Sequence, residues 1–282
     1  MPEPSFAHTY GPWALIAGGS EGIGRSFARE LAARGLNLVL VARNVAPLEE
    51  AASLIRSEFP VQVETAVLDL TGADLEERVD ALCAGKDIGM LVYNAGAVHG
   101  AGFFLDQPLA RAMTLIRLNC VGPVTLSHTL GRKMKARGRG GIILMSSMSG
   151  LAGGGFVAAY AATKSFDITL AEALWFELGT AGVHVLGLIA GATRTPSMAR
   201  SGAMFGSPDE SSPSAPNTAP MEPDDVVHEA LAQLGKTPVW IAGERNREAA
   251  NWLRSAPREE LVPAMTAAAA RIYGLQVPDF PD

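Results

Sequence analysis

The sequence predicts an α/β fold, a doubly wound parallel sheet with helices packed on both faces. Two observations predict it. Short apolar runs alternate with longer helix-forming stretches along most of the chain. The first run leads straight into Gly18-Gly-Ser-Glu-Gly22-Ile-Gly24. A strand, this glycine turn, a helix and a second strand then follow one another within about thirty residues, which is the spacing of a nucleotide-binding unit. The glycines let backbone approach a pyrophosphate, and the helix N-terminus meets its charge with free N–H groups.

Each element has its own justification. Trp13 to Ala17 is the first strand. Arg25 to Arg34 is a helix with Phe27, Ala28 and Leu31 on one side, stopped by Gly35 just past its end. Leu36 to Ala42 reads as a second buried strand. Pro47 to Phe59 places Leu48, Ala51, Ala52 and Ile55 on one helical face. Further strands are expected at Val61 to Leu68, Ile88 to Tyr93, Gly141 to Ser146, Val183 to Ile189 and Val239 to Ala242. Further helices are expected at Leu75 to Cys83, over residues 108 to 137 as one or two pieces with Asn119 in the middle, and at Val157 to Thr180. Ligands of such sheets bind at the carboxyl ends of the strands.

Residues 197–221, rich in Ser, Pro, Gly and Ala, break the alternation and are expected to form a mobile lid over the substrate. The extension 245–282 is helix-forming as far as Gly274, with Trp252, Leu253, Leu261 and Met265 as its apolar members. It is expected to pack either over the active-site side or on a partner subunit. The whole chain, 1–282, is expected to be one domain.

Composition narrows the function classes. Of 282 residues 48% are hydrophobic and 18% charged, enough for a large core and too apolar for disorder. The net charge is −6, which argues against nucleic acid as a partner. The basic run Arg132-Lys-Met-Lys-Ala-Arg137-Gly-Arg139 is read as a solvated helix C-terminus, where cations complement the helix dipole. Cys83 and Cys120 have no metal-ligand spacing and are read as reduced core residues. With no apolar run of about 18 residues, no membrane span is expected, and the cytoplasm is the expected compartment.

The chemistry-bearing residues lie further on. Tyr160 and Lys164 are four residues apart, about one helical turn, and so share a face. A phenol beside a fixed ammonium ionises more readily. Ser147, thirteen residues upstream, supplies a hydroxyl that can hold a carbonyl or alcohol oxygen; Ser146 is its alternative. This is an apparatus for moving a proton on or off a secondary alcohol. At the end of the second strand Ala42 stands where an acidic residue would select NAD, and Arg43 follows it. A guanidinium matches a 2′-phosphate, so NADP(H) is the expected cofactor, although Glu21 in the glycine loop mildly argues the other way. His99 is read as a satisfied loop histidine. Gly150-Leu-Ala-Gly-Gly-Gly155 and Phe156 are expected to line the pocket as an adaptable wall.

Taken together, the residues resemble the short-chain dehydrogenase/reductase family over about residues 10 to 243. Ala17-Gly18-Gly19-Ser20-Glu21-Gly22-Ile23-Gly24 is similar to its glycine motif, with alanine in place of threonine. Asn94-Ala95-Gly96 matches its Asn-Ala-Gly element, and Ala190-Gly191-Ala-Thr-Arg-Thr195 its Pro-Gly-x-x-x-Thr element, with proline changed to alanine. The resemblance implies a Rossmann fold, a catalytic tetrad at Asn119, Ser147, Tyr160 and Lys164, and cofactor contacts from Gly18, Ser20, Glu21, Gly22, Ile23, Gly24, Asn94, Ala95, Gly96 and Thr195. It further implies that Asp69 binds the adenine amino group and Leu70 the ring edge; Asp69 has an alternative as a helix N-cap, and Asn119 one as a helix-kink residue. A narrower likeness to hydroxysteroid dehydrogenases and long-chain 3-ketoacyl-CoA reductases implies an apolar carbonyl substrate. The family's habit implies a homodimer or homotetramer. Two rival readings keep the same fold: an NAD-linked alcohol oxidant, and a nucleotide-binding regulator without chemistry.

Overall fold

The computed structural model describes residues 5–96, 100–201 and 220–279. Its strands are β1 (Trp13–Ala17), β2 (Asn37–Ala42), β3 (Val63–Val67), β4 (Ile88–Tyr93), β5 (Gly140–Ser147), β6 (Val183–Ala190) and β7 (Val239–Ile241). They form one sheet in the order β3-β2-β1-β4-β5-β6-β7, with every neighbouring pair parallel. The helices are α1 (Phe6–Tyr10), α2 (Gly22–Ala33), α3 (Val45–Glu58), α4 (Leu75–Leu82), α5 (Leu109–Ile116), α6 (Gly122–Arg137), α7 (Ala158–Gly179), α8 (Pro196–Arg200), α9 (Pro223–Gln233), α10 (Glu244–Ser255) and α11 (Arg258–Tyr273). The expected doubly wound α/β class is thus the observed one.

Strand residues alternate between two faces, and each face has its own core. On one side Ala14, Ile16, Leu38 and Leu40 pack against Phe27, Ala28 and Leu31 of α2, Leu48 and Ile55 of α3, and Val226, Val227 and Ala230 of α9. On the other, Leu15, Val39, Val41 and Leu91 meet Leu75 and Val79 of α4, Leu126, Leu130 and Met134 of α6, and Ala171 and Leu178 of α7. Burying each Leu or Ile side chain contributes about 1.5–3 kcal/mol. Strands covered on both faces must be apolar where they are buried, as β2 is from Leu38 to Ala42 and β4 is throughout.

The chain winds outward from β1 to β3 and returns to place β4 beside β1. Connections therefore leave β1 and β4 in opposite directions, and a crevice opens between their carboxyl ends.

The stretch over 108–137 is not a continuous helix. Between α5 and α6 lies one π-helical turn, Arg117–Val121, with Asn119 at its centre. Pro123 has no N–H to donate to the Asn119 carbonyl, so the ordinary ladder cannot run through this point. The basic run ends α6 at Gly138, in the left-handed region at φ 74. Arg132, Lys133 and Lys135 of that run are exposed, while Arg137 pairs with Asp87 and donates to the Arg139 carbonyl at 3.1 Å. Cys83 is buried, whereas Cys120 is only half-buried.

Candidate active site

A cavity of about 760 Å³ fills the crevice and extends beneath the C-terminal helices. It is lined from the carboxyl ends of six strands, β1 through β6. One end is built mainly of backbone. Gly18 sits at φ +81, and a Cβ there would lie 2.8 Å from the Ala95 nitrogen. Gly22 sits at φ +53, where a Cβ would lie 2.8 Å from Thr195 Cγ2. Only glycine lets this turn pack so closely on the ends of β4 and β6. Asn94 ties it down by donating from Nδ2 to the Gly18 carbonyl at 3.0 Å, and the Ala95 N–H donates to Ala17 at 2.8 Å. At the start of α2 no side chain caps the first-turn N–H groups, so they are available to an anion.

Most of the expected cofactor contacts meet here. Gly18, Ser20, Glu21, Gly22, Ile23, Arg43, Asn94, Ala95, Gly96 and Thr195 all line the cavity, while Gly24 is buried beneath the turn. Glu21 pairs with Arg200 of α8, one of its contacts being 3.0 Å, so its charge is already answered. Arg43 is exposed at the end of β2 and, among the described residues, makes no hydrogen bond or ion pair. Asp69 and Leu70 are placed differently. The residue of that segment on the cavity wall is Leu68, whereas Leu70 is buried in the core at 4% exposure. The Asp69 carboxylate accepts from the Thr71 N–H (3.0 Å) and hydroxyl (2.8 Å), and these bonds hold it below the usual carboxylate range. The cap position of the following helix belongs to Asp74, so Asp69 is not its N-cap.

The second end carries the ionisable side chains. Tyr160, Lys164 and Ser147 line one wall, the first two from α7 and the third from the end of β5. Among the described residues the Tyr160 hydroxyl has no hydrogen-bond partner. Ser147 Oγ accepts from the Ser149 N–H at 3.2 Å, which leaves its proton to donate. Ser146 is committed elsewhere: it is buried and donates to the Lys164 carbonyl at 2.6 Å. Lys164 is buried, and its Nζ donates to the Met145 carbonyl (2.6 Å) and to Asp167 Oδ2 (2.9 Å). Asn119 donates from Nδ2 to Thr163 Oγ1 at 3.0 Å, and Thr163 donates to the Tyr160 carbonyl at 2.8 Å. The π turn is thereby fastened to the Tyr160–Lys164 stretch of α7. Gly96 lies between: a Cβ there would be 3.2 Å from Asn119 Oδ1 and 3.3 Å from Lys164 Nζ.

The remaining wall comes from the C-terminal extension, which packs over the active-site side. Trp252 and Leu253 of α10 and Met265, Ala269 and Tyr273 of α11 face the cavity. The Tyr273 phenol is pushed well above its ordinary range by burial and by neighbouring Tyr160, so it stays a proton donor. The glycine-rich loop after β5 is not a uniformly adaptable wall. A Cβ on Gly154 would stand 3.1 Å from the Met265 Cβ, and the Gly155 N–H donates to Thr266 Oγ1 at 2.8 Å. Two of its glycines are therefore there for close approach to α11. Phe156 next to them has φ 65, a strained value for a side-chain-bearing residue, and its ring meets Phe103 at 4.8 Å. Of the expected lid, residues 197–201 and 220–221 are described, and Ser197, Met198, Arg200 and Ser201 border the cavity. The rest of it, and His99, lie outside the described residues.

Trp252, Leu253 and Met265 are apolar members of the extension that the sequence left between two placements, and the cavity wall is the one they take. Tyr273 escapes sequence reasoning: it belongs to no motif and lies about a hundred residues from Tyr160. Asp167 had a usable signal, since i and i+3 share a helical face with Lys164.

A family model for short chain dehydrogenases matches residues 12–204. The chain belongs to the short-chain dehydrogenase family. It is an oxidoreductase acting on hydroxyl and keto groups. A 7beta-hydroxysteroid dehydrogenase of Clostridium sardiniense is 33% identical over 260 residues, covering 92% of this chain and 95% of that protein. A solved structure from a study of 7beta-hydroxysteroid dehydrogenase stereoselectivity superposes with a TM-score of 0.83 at 30% identity, covering 92% of this chain and 98% of the other. A short-chain dehydrogenase from Sphingobium yanoikuyae in complex with NADPH superposes with a TM-score of 0.72 at 28% identity, covering 95% and 99%. Among the described residues no helix of this short-chain dehydrogenase is long and apolar enough to cross a membrane.

Proposed function

We propose that this protein is an NADP(H)-dependent reductase that interconverts a ketone and a secondary alcohol on a small or medium apolar substrate of hydroxysteroid type. The observation that carries the reading is the sharing of one cavity by Tyr160, Lys164 and Ser147 at one end and an uncapped helix N-terminus with Arg43 at the other. The residues fit a dinucleotide. Gly18, Ser20, Glu21, Gly22, Ile23, Asn94, Ala95, Gly96 and Thr195 would hold it, with Gly24 packed beneath the turn, and Arg43 would face the 2′-phosphate that distinguishes NADP(H). Pairing of Glu21 with Arg200 removes the charge that argued against a phosphate there. The NADPH complex of a structural relative supports the same choice.

When bound, the nicotinamide supplies the hydride. The chain's own residues do the rest. Tyr160, whose hydroxyl has no partner among the described residues, donates the proton to the substrate oxygen in reduction and takes it back in oxidation. Ser147 donates a hydrogen bond to the same oxygen. Lys164 fixes the positive charge beside Tyr160, and Asn119 anchors α7 and faces Lys164 across Gly96. Trp252, Leu253, Met265 and Ala269 exclude water and favour an apolar skeleton, while Tyr273 offers a second hydroxyl to it.

The reading extends to assembly as a homodimer or homotetramer. Leu109, Met113, Val124, Phe166 and Phe176 on α5, α6 and α7 are exposed apolar side chains, which is the surface such an assembly would cover. The test is direct: follow NADPH oxidation at 340 nm with cyclic and steroidal ketones, and repeat with NADH. Ketone-dependent oxidation that prefers NADPH is expected. Tight NADPH binding with no turnover on any ketone would favour the non-catalytic regulator instead.

A further inference from the structure

Lys164 is held from behind by an acid that no motif assigns. Asp167 is 2% exposed, lies one helical turn further along α7, and accepts from Lys164 Nζ at 2.9 Å. Met145 takes a second donor of the ammonium at 2.6 Å. Two of its three N–H bonds thus point into the protein, and the charge beside Tyr160 is one half of a buried ion pair rather than a lone cation.

The environment makes this acid expensive to keep. A buried carboxylate is tolerated only when paired, and Asp167 Oδ1 has no hydrogen-bond partner among the described residues. The other titratable groups that face it are Tyr93 on β4 and Cys120 on the π turn, neither of which is cationic. Tyr93 is spent on the Leu118 carbonyl at 2.6 Å. Burial pushes the Asp167 carboxyl up to about 6, with Lys164 opposing that rise. A core position that only needed filling would be served by an apolar side chain.

Building on the oxidoreductase reading above, we propose that Asp167 is a positioning residue that fixes the Lys164 ammonium and offsets part of its field at Tyr160, keeping the phenol in its protonated, proton-donating form. The arrangement biases Tyr160 towards the acid role that ketone reduction needs. A carboxylate about two helical turns from the phenol acts on it more weakly than the adjacent ammonium, but with the same long-range reach in a low-dielectric interior.

The experiment reads Tyr160 without relying on turnover. The phenolate absorbance near 295 nm is titrated in the NADP-bound chain and, for subtraction, in Tyr160→Phe. The same pair is then prepared with Asp167→Asn, Asp167→Leu and Asp167→Glu. The Tyr160 ionisation midpoint is expected to fall by about one pH unit in the Asn and Leu variants and to stay at the wild-type value in the Glu variant. An unchanged midpoint in a folded, NADP-binding Asn or Leu variant overturns the assignment. So does failure of both to fold, which would make Asp167 a structural residue. Because the readout is an absorbance, a wild-type chain that reduces no ketone would refute the proposed function without deciding this point.

Discussion

The two ends of the cavity are built in different ways. The cofactor end is made of backbone: glycines at φ +81 and +53, an uncapped helix start, and strand termini laced together by Asn94. The other end is made of side chains from segments far apart in the chain, with Tyr160 on α7 and Tyr273 and Met265 of α11 lining the same cavity. Backbone geometry serves any ligand that carries a pyrophosphate, whereas side chains can be exchanged without disturbing the sheet. Damage at the first end should therefore affect every substrate alike, and damage at the second should re-rank substrates.

The largest expected effect lies where the ends meet. Tyr160→Phe should lower turnover about a hundredfold to ten-thousandfold, while NADPH affinity measured by fluorescence titration stays unchanged. Normal turnover in that variant would remove Tyr160 from the mechanism. Next, Arg43→Ala should weaken NADPH binding about tenfold to a hundredfold and leave NADH nearly untouched, since a charge-assisted contact contributes about 1.5–3 kcal/mol. Equal losses for both cofactors would break the phosphate role. Met265→Trp, which narrows the cavity from α11, should raise KM about tenfold for bulky ketones and much less for small ones, with NADPH affinity intact; a uniform loss across ketones would erase the distinction between the two ends. The smallest effect is expected from Thr266→Val, which removes the acceptor for the Gly155 N–H. A cost of about 1–3 kcal/mol in thermal unfolding is expected, with KM changed more than cofactor affinity.

Much of this molecule was readable in advance because its signals are local. Buried parallel strands must be apolar, so β1, β2 and β4 appear as plain runs. A turn that packs on two strand ends must be glycine, so Gly18 and Gly22 stand out. A shared helical face needs a spacing of three or four, so Tyr160 and Lys164 declare themselves. Periodicity could not mark the π turn at Asn119, because the break depends on one missing N–H at Pro123 within an otherwise helical pattern.

What the chain by itself determined was the order of elements, the glycine turn, and the pairing of phenol with ammonium on one helical face, each specified by neighbours a few residues away, whereas the choice of Ser147 over Ser146 fell to the tertiary hydrogen bond from Ser146 to the Lys164 carbonyl. Tertiary structure alone decided that Leu68 rather than Asp69 or Leu70 reaches the cavity, that Glu21 is answered by Arg200, that Gly154 and Gly155 are contact points for α11, and that the C-terminal helices close the substrate side. The physical reason is reach: backbone conformation and helical faces are settled within about a turn of sequence, whereas cavity walls are settled by which distant surfaces fold together to bury their apolar area.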